Sequence, residues 1–209
     1  MRFKDRTHAA EELADALDEY QGKPVVVYAL PRGGVELGRT VAEKLHAPLD
    51  LLIPRKVAHP EMPEYAIASV TELGEVVSNK SEVASVDPAW FKEAVIEQRQ
   101  EARRRRERYL AEQAPADVKD KIGIIVDDGI ATGLTMKSAI EDLRTREPSS
   151  IVIAVPVAPS DTIKELETLV DNVIVTERPT LFLGAIGAYY DSFDQVSDEE
   201  VVEMMKTVS

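Results

Sequence analysis

The chain has 209 residues, of which 44% are hydrophobic and 30% charged, and this composition excludes a disordered or fibrous protein. The formal net charge of -13 disfavours non-specific binding to nucleic acid, although it is compatible with a local site for a phosphorylated small molecule. Because there is no cysteine and the three histidines are scattered, disulfides, thiolate catalysis and a zinc cluster are not expected. A charged N-terminus and no run of about 18 apolar residues predict a cytoplasmic protein without a membrane span.

The predicted elements of the first half alternate between helices and strands. Apolar residues at helical spacing identify the helices, and short β-branched runs bounded by Pro and Gly identify the strands. In chain order they are a helix between Thr7 and Gly22, a strand at 24–30, a turn at 31–34, a helix at 35–46 and a strand at 49–57. Two prolines within 58–65 predict a mobile loop, carried by a β-hairpin of 66–70 and 75–77 around Gly74.

The second half continues this alternation after one long helix. Asp87 and Pro88 suit a helix N-cap and first turn, so a helix is expected at about 88–112. In chain order there follow a strand at 121–128, a helix at 135–146, a strand at 150–157, a helix at 160–170, a strand at 172–176 and a helix at 197–208. Apolar strands that alternate with helices predict an α/β fold with a parallel sheet covered on both faces.

Two adjacent acids, Asp127 and Asp128, end the strand at 121–128. Open α/β sheets bind ligands at the carboxyl ends of their strands. The segment behind the acids, 129–135, opens a helix and can present backbone N–H groups, hydroxyls and a positive dipole end to a phosphate. The acids can accept hydrogen bonds from sugar hydroxyls or hold Mg²⁺ through water. Together the two parts predict a ribose 5-phosphate site.

Two other interpretations of this segment compete with that prediction. In a plain strand-to-helix turn, Asp caps the helix and Gly relieves strain, which accounts for either acid alone better than for the whole pattern. A Walker-B strand is also apolar and ends in acids. It needs a partner motif, and no G-x-x-x-x-G-K-[ST] occurs in the chain.

The segment VDDGIATGLT (126–135) resembles the 5-phosphoribosyl-1-pyrophosphate signature of type I phosphoribosyltransferases. FKDR near the start, YALPRGGVELG, LLIPRK, the Arg-rich helix and the pattern GAYYDSF-QVSDEEV extend the resemblance to nearly the whole chain, within one group of predicted phosphoribosyltransferases without an assigned acceptor. The resemblance implies a Rossmann-like parallel sheet of about five strands in a single domain. It also implies a β-hairpin flap arm at about 57–80 and a small hood built from the N-terminal segment and about 178–209.

The activity that this resemblance implies is Mg²⁺-dependent transfer of a 5-phosphoribosyl group to a nitrogen acceptor, in the first place a nucleobase, by a homodimer. Attack at C1′ releases pyrophosphate, so the protein would chiefly position the reactants and neutralise the leaving group. The alternative is a regulatory protein that senses phosphoribosyl pyrophosphate, with an RNA contact as one option, and retains the fold without catalysis.

The resemblance also assigns roles to residues. The family's signature loop binds the ribose 5-phosphate, and its residues here are Asp127, Asp128, Gly129, Ile130, Ala131, Thr132, Gly133, Leu134 and Thr135. The family's pyrophosphate turn corresponds to Pro31, Arg32, Gly33 and Gly34. A plain tight turn accounts for these glycines but not for the arginine, and a non-proline cis peptide is expected near Pro31-Arg32. A basic residue after the second strand contacts pyrophosphate, which implies Arg55 or Lys56; since adjacent side chains point apart, both are not expected. The catalytic candidates are Asp127, Asp128 and Lys56.

Other positions carry less specific signals. The loop 58–65 corresponds to the family's mobile flap, and its weak candidates are His59, Glu61 and Glu64. Ala131 stands where the hypoxanthine-guanine type has an acid, which argues against a 6-oxopurine acceptor of that type. The aromatic residues Phe182, Tyr189, Tyr190 and Phe193 fall in the family's acceptor hood, where they either stack on a base or pack the hood onto the sheet.

A run of arginines interrupts an otherwise acidic chain. They are Arg99, Arg103, Arg104, Arg105, Arg106 and Arg108. The simplest interpretation is a solvated helix face with Glu101 and Arg105 as an i,i+4 pair, or a patch for an acidic partner subunit; phosphate or RNA binding are the alternatives. Trp90 is expected in the core or in an interface.

Overall fold

The computed structural model describes residues 3–111 and 113–206. Its helices are α1 (Arg6–Asp15), α2 (Gly34–Leu45), α3 (Lys80–Val83), α4 (Pro88–Leu110), α5 (Leu134–Arg144), α6 (Ser160–Leu166) and α7 (Asp198–Lys206), with short 3₁₀ helices at Asp18–Tyr20 and Ile186–Tyr189. Its strands are β1 (Val25–Ala29), β2 (Leu49–Leu51), β3 (Arg55–His59), β4 (Met62–Val70), β5 (Val77–Ser78), β6 (Ile122–Val126), β7 (Ser150–Val157) and β8 (Asn172–Glu177).

Five strands form a parallel sheet in the order β2-β1-β6-β7-β8. Alternate residues of β1 point to opposite faces: Val25 and Val27 pack in the core under α1 and α2, while Val26 and Tyr28 pack under α5 and α6. Both faces are therefore covered by helices, as apolar strands of this kind require. This confirms the predicted α/β fold with a sheet of about five strands.

A second, antiparallel sheet has the order β3-β4-β5 and corrects the predicted strand at 49–57. The strand of the main sheet ends at Leu51, and Arg55 and Lys56 begin β3 instead of ending β2. Pro54 lies between the two strands, where a residue without a backbone N–H cannot continue a ladder.

The segment 58–65, predicted as a loop, is mostly strand. β3 and β4 form a hairpin whose turn is residues 60–61, with His59 paired to Met62, so the prediction of a loop was wrong over most of its length. The predicted pairing around Gly74 is confirmed by β4 and β5, in which Ala68 lies opposite Ser78.

Helix boundaries follow capping more closely than apolar spacing. The N-cap of α1 is Asp5, whose carboxylate accepts from His8 N at 2.8 Å, so the predicted start at Thr7 was wrong. Asp87 caps α4 as expected and accepts from Ala89 N at 2.9 Å. The other predicted helices are confirmed with shorter ends, while α3 was not predicted, and the predicted end of the last helix, 207–208, lies outside the described residues.

The N-terminal segment and the chain after β8 lie together at the carboxyl end of the sheet. Phe3 N donates to Tyr189 O at 2.7 Å, Asp191 N donates to Phe3 O at 2.8 Å, and Phe3 and Tyr190 form a parallel bridge. We call residues 3–7 and 178–206 the hood. Within the part of the chain that the structure describes, no helix combines the length and apolarity needed to cross a membrane.

Candidate active site

Asp127 and Asp128 follow β6, the central strand of the parallel sheet. β1 lies in register beside β6, with Ala29 opposite Val126, and Leu30 N donates to Val126 O at 2.9 Å. The turn 31–34 after β1 therefore lies next to the two acids. This edge is where open parallel sheets bind ligands.

The glycines of this turn are needed because the acids press against it. A Cβ atom at Gly33 would lie 1.9 Å from Asp128 Oδ2, and one at Gly34 would lie 2.9 Å from Asp127 Cα. Neither glycine has a positive φ, so close approach explains them better than backbone freedom. The peptide bond between Pro31 and Arg32 is cis, which confirms that prediction.

One cavity of about 260 Å³ brings together residues from three separate predicted motifs. Its lining residues are Leu30, Pro31, Pro54, Arg55, Lys56, Asp127 and Thr135. A larger cavity of about 510 Å³ lies between the antiparallel sheet and the loop 129–135, and Lys56 lines that one too, with Tyr65, Thr132 and Lys137 among the others. Lys56 is thus an exposed residue that lines both cavities.

The other two predicted cations differ from Lys56 in their surroundings. Arg55 is half-buried, and its Nε donates to Gln98 Oε1 at 3.2 Å; burial and the nearby Arg105 lower its pKa. Arg32 does not line the 260 Å³ cavity, and its Nη1 lies 3.7 Å from Asp198 Oδ1 in the hood. Of these three predicted cations, Lys56 is therefore the exposed one that lines the same cavity as Asp127.

The loop 129–135 opens α5 in the way that an anion site requires. Gly133 is the N-cap of α5 and has a φ of 75°, a left-handed conformation that favours glycine. Ile130 is buried and anchors the loop through its N–H, which donates to Val157 O at 2.9 Å, while Ala131 and Thr132 are exposed. The free N–H groups of the first turn of α5 can therefore face an anion.

The two acids are electrostatically unequal. Burial and the neighbouring Asp128 raise the pKa of Asp127 well above its ordinary value. Burial also raises the pKa of Asp128, but Arg6 opposes that rise, with its Nε 2.8 Å from Asp128 Oδ2. Asp127 accepts a hydrogen bond from Asp128 N at 2.9 Å. A partly buried carboxylate that faces a cavity in this way can accept hydrogen bonds from a bound sugar.

The family model for the phosphoribosyl transferase domain matches residues 3–192. The chain belongs to the phosphoribosyl transferase domain family.

Relatives agree with this assignment. A Mycobacterium tuberculosis H37Rv protein, named provisionally as a phosphoribosyl transferase, is 39% identical over 205 residues, which are 97% of this chain and 46% of the relative. The chain thus spans about half the length of the curated relatives it matches. Among solved structures, TT1426 from Thermus thermophilus is 36% identical, with a TM-score of 0.84 over 100% of both chains. AQ2163 from Aquifex aeolicus, 12% identical with a TM-score of 0.51 over 86% of this chain and 76% of its own, shows the fold alone.

The predicted aromatic residues of the hood differ in exposure. Tyr189 and Tyr190 are 5% and 2% exposed and pack in the main core, so their rings support the hood. Phe182 is half-buried and stacks on Tyr189 with ring centroids 5.6 Å apart. Among these three predicted hood residues Phe182 is the least buried, while Tyr189 lines a cavity of about 410 Å³ together with Leu181 and Leu183.

The arginines of α4 chiefly bind neighbouring elements of the fold. The predicted pair is confirmed, since Arg105 Nε lies 2.8 Å from Glu101 Oε1. Arg106 binds Asp50 and Glu72, and Arg108 binds Asp198 and Glu199. Arg103 and Arg104 are exposed, as the predicted solvated face requires. Trp90 is half-buried and packs against the antiparallel sheet.

The weak candidates of the hairpin lie apart from Asp127. His59 Nδ1 accepts from Glu61 N at 3.2 Å within the turn, and Glu64 lines the larger cavity. The important partner that sequence analysis missed is Arg6, which contacts Asp128 across 122 residues of chain. Its one signal was its place in the motif FKDR.

Proposed function

We propose that this phosphoribosyltransferase moves a 5-phosphoribosyl group from 5-phosphoribosyl-1-pyrophosphate to a ring nitrogen of a small acceptor of the nucleobase class. The observation that carries the proposal is the cavity in which Asp127, Lys56 and Thr135 meet beside the cis Pro31-Arg32 turn. A carboxylate, a cation and a helix N-terminus there match the hydroxyls, pyrophosphate and 5-phosphate of one donor.

The placement of the donor follows from charge. Its 5-phosphate would lie on the N–H groups of 131–135, away from the acids, and its ribose hydroxyls would donate to Asp127. Its pyrophosphate would then extend toward Lys56 and the turn 31–34, with Arg55 and Arg32 as further sources of positive charge. This arrangement separates the negative phosphates from the negative acids.

In the proposed reaction a lone pair of the acceptor nitrogen forms a bond to C1′, and the bond from C1′ to the pyrophosphate oxygen breaks with its electron pair on pyrophosphate. Positive charge develops on the ribose in the transition state, where the carboxylate of Asp127 stabilises it. Lys56 neutralises the leaving group. The acceptor nitrogen releases its proton to solvent as the product forms.

Mg²⁺ fits this site as a partner of the substrate. Within residues 3–111 and 113–206, no three acidic or histidine side chains converge on a metal position. Mg²⁺ commonly keeps several waters and binds through one or two carboxylates plus substrate phosphates, which suits Asp127 and Asp128 beside a pyrophosphate. When bound, it would supply positive charge to the leaving group.

The acceptor would lie under the hood, where Tyr189 lines a cavity of about 410 Å³ and carries the stacked ring of Phe182. Ala131 is exposed in the signature loop and has no acidic group for a 6-oxopurine ring. We therefore expect 6-oxopurines to be poor acceptors. A homodimer in the cytoplasm is part of the same proposal, and light scattering after gel filtration tests the assembly.

Pyrophosphate release tests the function. The protein is incubated with phosphoribosyl pyrophosphate, Mg²⁺ and single bases. Lys56→Met is the impaired variant, and Lys164→Met, whose side chain is 75% exposed and lies outside the cavity, is its matched control. Release with one or more acceptors, lost in Lys56→Met alone, is the expected result. Tight donor binding without release for any acceptor would instead favour the regulatory protein, and no donor binding would contradict both.

A further inference from the structure

Arg6 lies at the start of α1 and joins the acid pair to the hood. It is 8% exposed, and its Nε donates to Asp128 Oδ2 at 2.8 Å. Its Nη1 donates to the backbone oxygen of Asp194 at 2.6 Å, and its guanidinium group lies 3.9 Å from the centroid of the Phe193 ring. A planar fork of donors in this position can hold a carboxylate in one orientation.

Asp128 is also held through its backbone. Tyr190, 2% exposed, donates its phenol O–H to the Asp128 carbonyl oxygen at 2.6 Å. Gly33 comes close to the same carboxylate: a Cβ atom there would be 1.9 Å from Asp128 Oδ2 and 3.0 Å from Arg6 Nε. The hood and the turn 31–34 therefore fix Asp128 between them.

Arg6 also balances charge at this point. Asp128 faces Asp127 on its own segment and Glu36 at the start of α2, and Lys56 of β3 acts on Asp127. Without Arg6, Asp128 would lose its ion-pair partner within a group of three acids, next to the proposed position of a highly anionic donor. An unpaired carboxylate in such a crowded place is costly and tends to reorient.

We propose that Arg6 is a positioning residue for the phosphoribosyl donor. It holds Asp128 against the Gly33 turn, which orients both acids toward the ribose hydroxyls, and it makes donor affinity depend on a docked hood. The inference rests on the proposed function, because it names a part of the same donor site.

Calorimetric titration with phosphoribosyl pyrophosphate and Mg²⁺ tests the role of Arg6. Arg6→Met keeps an unbranched apolar stem and removes the charged guanidinium group, and donor affinity should fall about 10- to 100-fold. Arg6→Lys should recover part of that loss, because it restores the charge without the fork. In turnover assays the donor KM should rise more than kcat falls, which a merely structural role would not produce.

A double-mutant cycle isolates the contact. In an Asp128→Asn background, Arg6→Met should weaken donor binding less than about threefold, since its charged partner is already absent. Arg39→Met, which removes an exposed arginine paired with Glu43 at 2.8 Å, is the matched control and should stay within about twofold of wild type.

The possible results are separable. Donor affinity of folded Arg6→Met within about twofold of wild type would overturn the inference and leave the proposed function intact. A wild-type protein that binds no donor would overturn the proposed function and the inference with it. If Arg6→Met does not fold, Arg6→Lys decides: weakening of donor binding by about 3- to 10-fold supports the inference, and unchanged affinity overturns it.

Discussion

Asp50 and Asp127 are both associated with the parallel sheet, but their surroundings differ. Asp50, in β2, is 3% exposed. Its carboxylate accepts from Leu51 N at 2.6 Å, Arg106 Nη2 at 2.8 Å and Ala116 N at 3.0 Å, with Arg146 Nη1 at 3.6 Å. Asp127 lines a cavity, and within the described residues no lysine or arginine forms an ion pair with it.

The difference separates an acid that stabilises the fold from an acid that is available to a ligand. Burying a carboxylate is tolerated where donors and cations surround it, as around Asp50. Asp127 keeps unused acceptor capacity and a raised pKa, so its environment is improved by a molecule that brings hydroxyl donors. Asp128 is intermediate, since Arg6 satisfies one of its oxygens.

Removing a cation that binds Asp50 should have the largest effect on stability. Arg106→Met leaves Asp50 and Glu72 without their shared cation, so the free energy of unfolding should fall by about 3–5 kcal/mol in urea titrations. Arg103→Met, an exposed change on the same helix, should cost less than about 0.5 kcal/mol. The donor affinity of the folded fraction should not change, and a loss there would connect the Asp50 group to the site.

Substitution of Asp127, the acid that lines the cavity, should affect donor binding more than stability. Asp127→Asn removes a charged acceptor from the ribose site, so donor affinity should fall about 100-fold, while the circular dichroism spectrum stays that of the wild type. Asp117→Asn, an exposed acid ahead of β6 with a side chain 79% exposed, is the control and should bind normally. Normal donor binding by Asp127→Asn would show that the cavity is not the ribose site.

Parts of both acid environments could be predicted from sequence because the relevant residues are neighbours in the chain. The pair at 127–128, the loop behind it and the alternation of strands and helices are local patterns with a clear physical meaning. The partners of the acids are not local: Arg6 is 122 residues from Asp128, and Arg106 is 56 residues from Asp50. The sequence places six arginines near α4 and one at position 6 without distinguishing which carboxylate each would meet.

Substitution of Gly33, which lies close to Asp128, should have a moderate effect on both stability and donor binding. A Cβ atom in Gly33→Ala would lie 1.9 Å from Asp128 Oδ2, so the carboxylate has to move. We expect a loss of about 1–3 kcal/mol in the free energy of unfolding, measured by urea titration, together with weaker donor binding. In an Asp128→Ala background most of the stability loss should disappear. A penalty that stays the same there would place the strain in the backbone of the turn instead of at the acid.

The smallest effect is the pH dependence of stability in the absence of donor. Because burial and Asp128 raise the pKa of Asp127, the folded protein binds more protons than the unfolded chain between the unfolded pKa and the raised folded pKa. Wild-type stability should therefore fall as pH rises through that window, and Asp127→Asn should be the more stable protein at pH 7. The difference in stability between wild type and Asp127→Asn should disappear as the pH is lowered to about 4, where the carboxyl group of the unfolded chain is itself becoming protonated. Thermal unfolding across this range measures it. A variant less stable at pH 7 would mean that Asp127, like Asp50, is an acid whose charge the fold needs.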